Sequence, residues 1–338
     1  MRVVLVLEQQ GHLREKHIEM NLPTKGCEKK EKKMTERTGF ILSIGDIEEA
    51  WRIQHGVNDK GHTNMQGHGF LRTDNEAASH GLVGKEPSRN LMIGLDKLKP
   101  DGGITAHYHE YGDKMPIFDH AYYVISGRIK ATVGDTEKIV GADSLIYCPS
   151  NVKHSILNIG KTTAKVLRVT GSGGGNVMGG WGDEQKQPPA KNGGFILPKS
   201  EIDKAWRIEH AAEAEGHHNM KGYSFLTVPT EAALHGMVGK ELAKHLMLGL
   251  DMFPPGGGIS EHTHVTNEEF PVFDHAYYVI SGQIQGTVGD TVKTVGADSL
   301  IYCPSNVKHA ILNVGKTTAK VLRIAGCDEG AKMGGWAK

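Results

Sequence analysis

Cysteine is scarce: the 338 residues hold only Cys27, Cys148, Cys303 and Cys327, and none stands in a CxxC pair. That usage argues against a zinc-finger framework and against a disulfide-stapled secreted domain, and it fits reduced thiols in a cytoplasmic protein. Net charge is also lacking. Lys and Arg number 39 against 39 Asp and Glu, so no basic field exists to gather nucleic acid or anionic lipid. Long apolar runs are missing as well, since Val3-Val-Leu-Val-Leu7 is shorter than a signal-peptide core and far shorter than a membrane span. The expected partner is a small-molecule substrate, with no nucleic acid and no membrane; a homo-oligomer is compatible with all of this. Helix-forming runs are few, and short strand-like segments separated by Gly, Pro, Asn and Asp predict an all-β architecture.

What is present is repetition. From Phe40 every landmark recurs 155 positions later without a gap: Phe40 with Phe195, Trp51 with Trp206, His107 with His262, Gly127 with Gly282, His154 with His309 and Trp181 with Trp336. A constant offset over the whole unit marks a duplicated domain. Gly141 to His154 returns verbatim as Gly296 to His309. The chain therefore divides into a flexible N-terminal tail (1–38), a first domain (39–181), a linker rich in Gln, Pro and Lys (182–193) and a second domain (194–338). Met34 serves as well as Met1 as a translation start.

The first third of each repeat predicts a helix, over Asp46–Ile53 and over Ile202–Ile208, the latter with Ser200 placed to cap it. The period then shifts toward two. Tyr122–Ser126, Ile129–Val133, Ser144–Cys148, Ser155–Asn158 and Ala164–Val169 predict strands, separated by Gly-, Asp- and Pro-containing turns. Consecutive short strands with tight turns imply antiparallel pairing in a sandwich or small barrel.

Eight histidines recur within this pattern. Gly103-Ile-Thr-Ala-His107-Tyr-His109 and Gly258-Ile-Ser-Glu-His262-Thr-His264 each carry a His-x-His pair, and on a strand residues i and i+2 share one face. Each pair is followed by His120 or His275 at the head of an apolar strand, then by His154 or His309 after a proline turn. The other repeated histidines, His55 with His210, His62 with His217 and His80 with His235, read as hydrogen-bonding or interface residues.

These residues resemble the cupin superfamily, specifically its two-domain members, the bicupins. Gly103, His107, His109 and Gly127 match the family's first motif, and Gly141, Pro149, His154 and Asn158 its second; the second repeat matches at the equivalent positions. The resemblance implies two tandem double-stranded β-helix (jelly-roll) barrels with short peripheral helices, each holding one divalent metal. The family's glutamate is the point of departure. Counting back along the strand from the closing glycine places His120 and His275 at that position, whereas counting forward from His-x-His places Asp113 and Glu268 there. The strand count is the firmer, because Ala121 to Gly127 sets inward and outward faces.

A set of His107, His109, His120 and His154, repeated as His262, His264, His275 and His309, suits Fe, Mn, Ni, Cu, Co or Zn and is a poor one for Ca²⁺ or Mg²⁺. Neutral ligands leave the ion its full charge, which favours an anionic, chelating substrate. His120 and His275 are expected as fourth ligands or as bases. Tyr122 and Tyr277 share their inward face and present a phenol there, although ordinary barrel packing competes with that role. Asp119 and Asp274, one residue earlier, are candidates to orient a ligand imidazole. The leading expectation is a non-haem dioxygenase acting on a small oxygen-rich or aromatic substrate that chelates the metal. The alternatives are a redox-neutral isomerase, lyase or hydrolase on a sugar acid, keto acid or ureido compound, and a non-catalytic binding cupin.

Overall fold

The computed structural model describes residues 4–9, 12–17, 38–43, 45–46, 52–53, 61–74, 88–110, 118–173, 182, 193–202, 207–208, 216–229, 242–266, 273–328 and 336–337. An N-terminal unit, Met1–Glu36, contains a hairpin of β1 (Val4–Gln9) and β2 (His12–His17) inside the stretch that the sequence presents as a tail. The second unit, Arg37–Lys338, carries both repeats.

The first repeat runs through β3 (Phe40–Leu42), β4 (Arg52–Ile53), β5 (His62–Leu71), β6 (Leu91–His107), β7 (Phe118–Ser126), β8 (Ile129–Val133), β9 (Thr136–Val140), β10 (Ser144–Pro149), β11 (His154–Asn158) and β12 (Ala164–Ser172). The second runs through β13 (Phe195–Leu197), α1 (Lys199–Ile202), β14 (Arg207–Ile208), β15 (His217–His218), β16 (Lys221–Leu226), β17 (Leu246–Phe253), β18 (Gly258–His264), β19 (Phe273–Ser281), β20 (Ile284–Val288), β21 (Thr291–Val295), β22 (Ser299–Pro304), β23 (His309–Asn313), β24 (Ala319–Cys327) and β25 (Trp336–Ala337). The expected helices are described only in part, because residues 47–51 and 203–206 lie outside the described residues. Only Gly45–Asp46 and α1 are helical among the described residues there, Ser200 lies inside α1 and does not cap it, and Arg52–Ile53 and Arg207–Ile208 are strands paired with β5 and β16. Strand pairing with a neighbour overrides the local helical pattern in those two dipeptides. Trp51, Trp206, Trp181 and Cys27 lie outside the described residues.

Alternation along each strand explains where the core sits. Tyr122 and Val124 turn inward with Ile129, Ala131, Val133, Ile146 and Val166 to fill the first barrel. Their neighbours Tyr123, Leu145, Tyr147 and Leu167 turn outward and meet Tyr278, Leu300, Tyr302 and Leu322 between the barrels. Both faces of β7 are thus covered, which is why Ala121-Tyr-Tyr-Val reads as an unbroken apolar run. The second barrel repeats the pattern with Tyr277, Val279, Ile284, Val288, Ile301 and Val321 inside.

The strand that opens each repeat is handed to the other barrel. β3 pairs with β22 of the second repeat, Ile41 opposite Ile301, and β13 pairs with β10 of the first, Ile196 opposite Ile146. Side chains follow the exchange. Asp46 bonds Lys293 at 2.6 Å, and Lys138 Nζ donates to Ile196 O at 3.0 Å. Lys320 bonds Asp143 at 2.5 Å while Lys165 bonds Asp298, so the interface between barrels is reciprocal. No helix among the described residues is long and apolar enough to cross a membrane.

Candidate metal centres

Two motif glycines bring the ligand strands together. A Cβ on Gly103 would stand 2.2 Å from Ile156 O, and one on Gly258 2.3 Å from Ile311 O, so β6 and β11, and likewise β18 and β23, approach at a distance only glycine allows. That contact sets His107 directly opposite His154 and His262 directly opposite His309. The His-x-His spacing adds His109 and His264. Within each barrel one ring nitrogen from each of three histidines, His107, His109 and His154 or His262, His264 and His309, lies within 4.8 Å of the others, and all six residues are buried.

The tautomers follow from the backbone. Nδ1 of His107 lies 2.8 Å from Thr105 O, and Nδ1 of His154 2.8 Å from Val152 O; His262 and His309 repeat this with Ser260 O (2.8 Å) and Val307 O (2.9 Å). A carbonyl only accepts, so each Nδ1 carries the proton and each Nε2 presents a lone pair. Nε2 of His154 and Nε2 of His309 are buried without a hydrogen-bond partner. His107 and His109 face each other Nε2 to Nε2 at 3.3 Å, and His262 and His264 at 3.2 Å. Two nitrogens bound at about 2.1 Å to one ion stand about 3.0–3.4 Å apart at octahedral or tetrahedral angles, so the side chains present fit a transition metal.

His120 stands beside this group. Its ring lies 5.3 Å from that of His109 and 5.5 Å from that of His154, and both of its ring nitrogens are buried without a hydrogen-bond partner. His275 repeats these distances at 5.4 Å from His264 and 5.6 Å from His309. The three-nitrogen group does not include either, so they flank the triad. Tyr122 and Tyr277 lie one layer deeper, 4.5 and 4.4 Å from the His120 and His275 rings and 6.3 and 6.5 Å from those of His154 and His309. The floor carries a buried ion pair in each barrel, Arg168–Asp96 at 3.5 Å and Arg323–Asp251 at 3.2 Å.

Burial dominates the electrostatics. It pushes His107, His154 and His309 down to about 3, so these imidazoles are neutral at pH 7. It lowers His120 and His275 well below the usual range, reinforced by the neighbouring histidines and by Arg168 or Arg323. The phenols of Tyr122 and Tyr277 are driven well above theirs and stay protonated.

Several sequence expectations fall elsewhere. Asp119 does not orient an imidazole: it accepts from Tyr147 Oη at 2.5 Å and from the backbone N–H of Lys244 (2.7 Å) and His245 (2.5 Å) in the other barrel. Asp274 mirrors it, accepting from Tyr302 Oη at 2.6 Å and from the Asn90 N–H. These carboxylates tie the barrels together. Motif residue Asn158 is likewise structural, with Nδ2 donating to Leu98 O and Thr162 O, as Asn313 does to Phe253 O and Thr317 O. Cys148 and Cys303 are buried free thiols opposite His120 and His275. Asp113, Glu268, His55, His210, His80 and His235 lie outside the described residues. His62 and His217, set aside in the sequence, sit on strands beside the His-x-His strands, opposite Ile104 and Ile259. Phe118 and Phe273, which no motif singled out, wall the site 5.1 and 4.9 Å from His109 and His264.

A profile of the cupin domain matches the chain twice, at residues 94–170 and 249–325. No curated protein matches the sequence significantly. Among solved structures, the protein Ylba from E. coli is 15% identical, with 88% of this chain and 95% of that one covered and a TM-score of 0.57. Oxalate decarboxylase of Bacillus subtilis, in a structure concerned with its Mn(II) centres, is 18% identical over 88% of this chain and 79% of that one, with a TM-score of 0.53. The oxalate decarboxylase of Lactobacillus farciminis in its formate complex is 13% identical over 86% and 87%, again at 0.53. At such identities the likeness establishes the fold.

Proposed function

As the chain belongs to the cupin superfamily, with one cupin domain in each repeat, we propose that each barrel holds one divalent transition metal and that the protein acts on a small, oxygen-rich or aromatic substrate that chelates it. The observation that carries this reading is the convergence of three buried imidazoles per barrel, two of which have Nδ1 tied to a backbone carbonyl oxygen at 2.8–2.9 Å, leaving Nε2 as the ligating nitrogen. Such a set would be provided by His107, His109 and His154, and by His262, His264 and His309. The metal would supply Lewis acidity toward substrate oxygens and, if redox-active, oxygen chemistry.

The chain's own residues do the rest. The carbonyls of Thr105 and Val152 hold the imidazoles in the ligating tautomer, the role outer partners play at metal sites generally. Phe118 and Tyr122 keep water from the inner side of the site. His120, neutral and with both ring nitrogens unpartnered, is poised as a fourth ligand or to accept a proton from substrate at its ring nitrogen. His275 has the same place in the second barrel, with Tyr277 behind it.

Within this reading the reaction is a non-haem dioxygenation. The all-imidazole set, with a histidine where cupins would carry a carboxylate, supports it. A redox-neutral lyase is the second reading, favoured by the fold shared with an oxalate decarboxylase that has Mn(II) centres. Oxygen uptake decides between them. Protein loaded with Fe(II) or Mn(II) and offered chelating carboxylic acids, keto acids and catechols consumes O₂ in the first case; turnover that survives removal of oxygen supports the second. The buried free thiols Cys148 and Cys303 support a cytoplasmic setting.

A further inference from the structure

The two histidine clusters are near copies, but the wall beside them is not. In the second barrel Val228, Met247, Phe273, Ala325 and Cys327 form an apolar cluster. At the equivalent positions the first barrel has Thr73, Met92, Phe118, Thr170 and Ser172. Three of the five positions exchange an apolar or thiol side chain for a hydroxyl.

Register places these residues at the metal cluster. Thr170 lies directly opposite His120, and Ser172 opposite Phe118, whose ring is 5.1 Å from His109. Directly opposed residues on antiparallel strands project to the same face, so both hydroxyls turn toward the barrel interior. Ala325 opposite His275 and Cys327 opposite Phe273 hold the same places in the second barrel. Thr73, Thr170 and Ser172 are each no more than 1% exposed, and Ser172 Oγ is buried without a hydrogen-bond partner. An unsatisfied buried hydroxyl costs stability unless something meets it, and on this face the site itself is where a partner enters.

A second difference is independent of the wall. The His-x-His rings meet at 85° in both barrels, yet His120 is nearly parallel to His109 (17°) whereas His275 is steeply inclined to His264 (65°). The flanking imidazole therefore stands differently where its opposite neighbour is Thr170 and where it is Ala325.

We infer that the barrels differ in ligand preference: the first is built for an oxygen-rich ligand, a carboxylate or polyhydroxy compound, held by Thr170 and Ser172 beside the imidazoles, and the second, with Ala325 and Cys327 in their place, binds it more weakly. This rests on the metal-binding reading above and narrows its substrate class to oxygen-rich compounds acting in the first barrel. Hydroxyls give such a ligand donors where an apolar wall would strip its water without replacement.

The test uses Co(II), whose visible spectrum responds to its ligands, and oxalate as the probe. His262→Ala/His309→Ala leaves only the first cluster intact, and His107→Ala/His154→Ala only the second. The first-cluster protein is expected to show a saturable spectral change at oxalate concentrations at least about tenfold lower than the second needs. Thr170→Ala/Ser172→Cys in the former should weaken binding about tenfold, and Ala325→Thr/Cys327→Ser in the latter should strengthen it, with Co(II) content unchanged in both. Equal oxalate response in the two single-cluster proteins overturns the inference, even if an exchanged variant fails to fold. An exchange that folds, holds Co(II) and leaves oxalate affinity unmoved overturns it as well. Failure of both clusters to take up Co(II) overturns the metal reading and this inference with it, so metal content distinguishes the two failures.

Discussion

Nε2 of His107 and Nε2 of His109 stand 3.3 Å apart in a buried site, and the same pair in the second barrel stands 3.2 Å apart. The lone pair that His107 presents at Nε2 would be stabilised there by a cation shared with His109. Removing the metal with a chelator is therefore expected to lower the thermal unfolding temperature, and adding Mn²⁺ to restore it, since a ion bound only by the native state adds stability by mass action. Unfolding indifferent to chelator would contradict this.

Acid should weaken the metal-free protein. Burial holds His107, His154 and His309 at about 3 in the fold, against 6.5 for a free imidazole. A folded value below the unfolded one means that the unfolded chain binds protons first, so the stabilisation is whole above about 6.5 and is lost as pH falls toward about 3. The urea midpoint of chelator-treated protein should drop through this window, and His154→Gln/His309→Gln should flatten the slope. An unchanged slope in the variant would refute the assignment.

Asp119 offers a separate check, because its bonds run to Tyr147 and to backbone N–H groups of the other barrel. Asp119→Ala strands buried donors, each costing about 1–3 kcal/mol, and a loss of about 2–5 kcal/mol in denaturant unfolding is expected. Metal content should not change. A variant that folds normally but loses metal would restore the role of Asp119 as an orienter of imidazoles.

Exchange of β3 and β13 predicts an effect that crosses the repeats. Deleting residues 1–43 removes Ile41 from the second barrel's core and Asp46's neighbour Ser43, which bonds its carboxylate, so the second barrel should suffer first. Hydrogen exchange read by mass spectrometry should show β22 losing protection before β10 does. Loss confined to β10 would contradict the exchange.

Much of this was legible before any coordinates. The 155-residue offset, the strand periods and the histidine spacing pointed to two barrels, each with a buried imidazole cluster. Other features could not be read, for physical reasons. Phe40-Ile-Leu42 and Phe195-Ile-Leu197 are identical, so nothing local says which barrel each strand joins. Asp119 adjoins a site histidine in sequence, but strand alternation turns it to the opposite face, toward Lys244 and His245. The change from Thr170 to Ala325 is visible as a lapse in the repeat, and only the register opposite His120 and His275 gives it meaning.

The most direct test is the metal content of the purified protein and of two variants. The account predicts close to two transition-metal ions per chain in the parent after loading, and about one in each of His107→Ala/His154→Ala and His262→Ala/His309→Ala. A parent that binds no ion, or variants that bind as many as the parent, would contradict it.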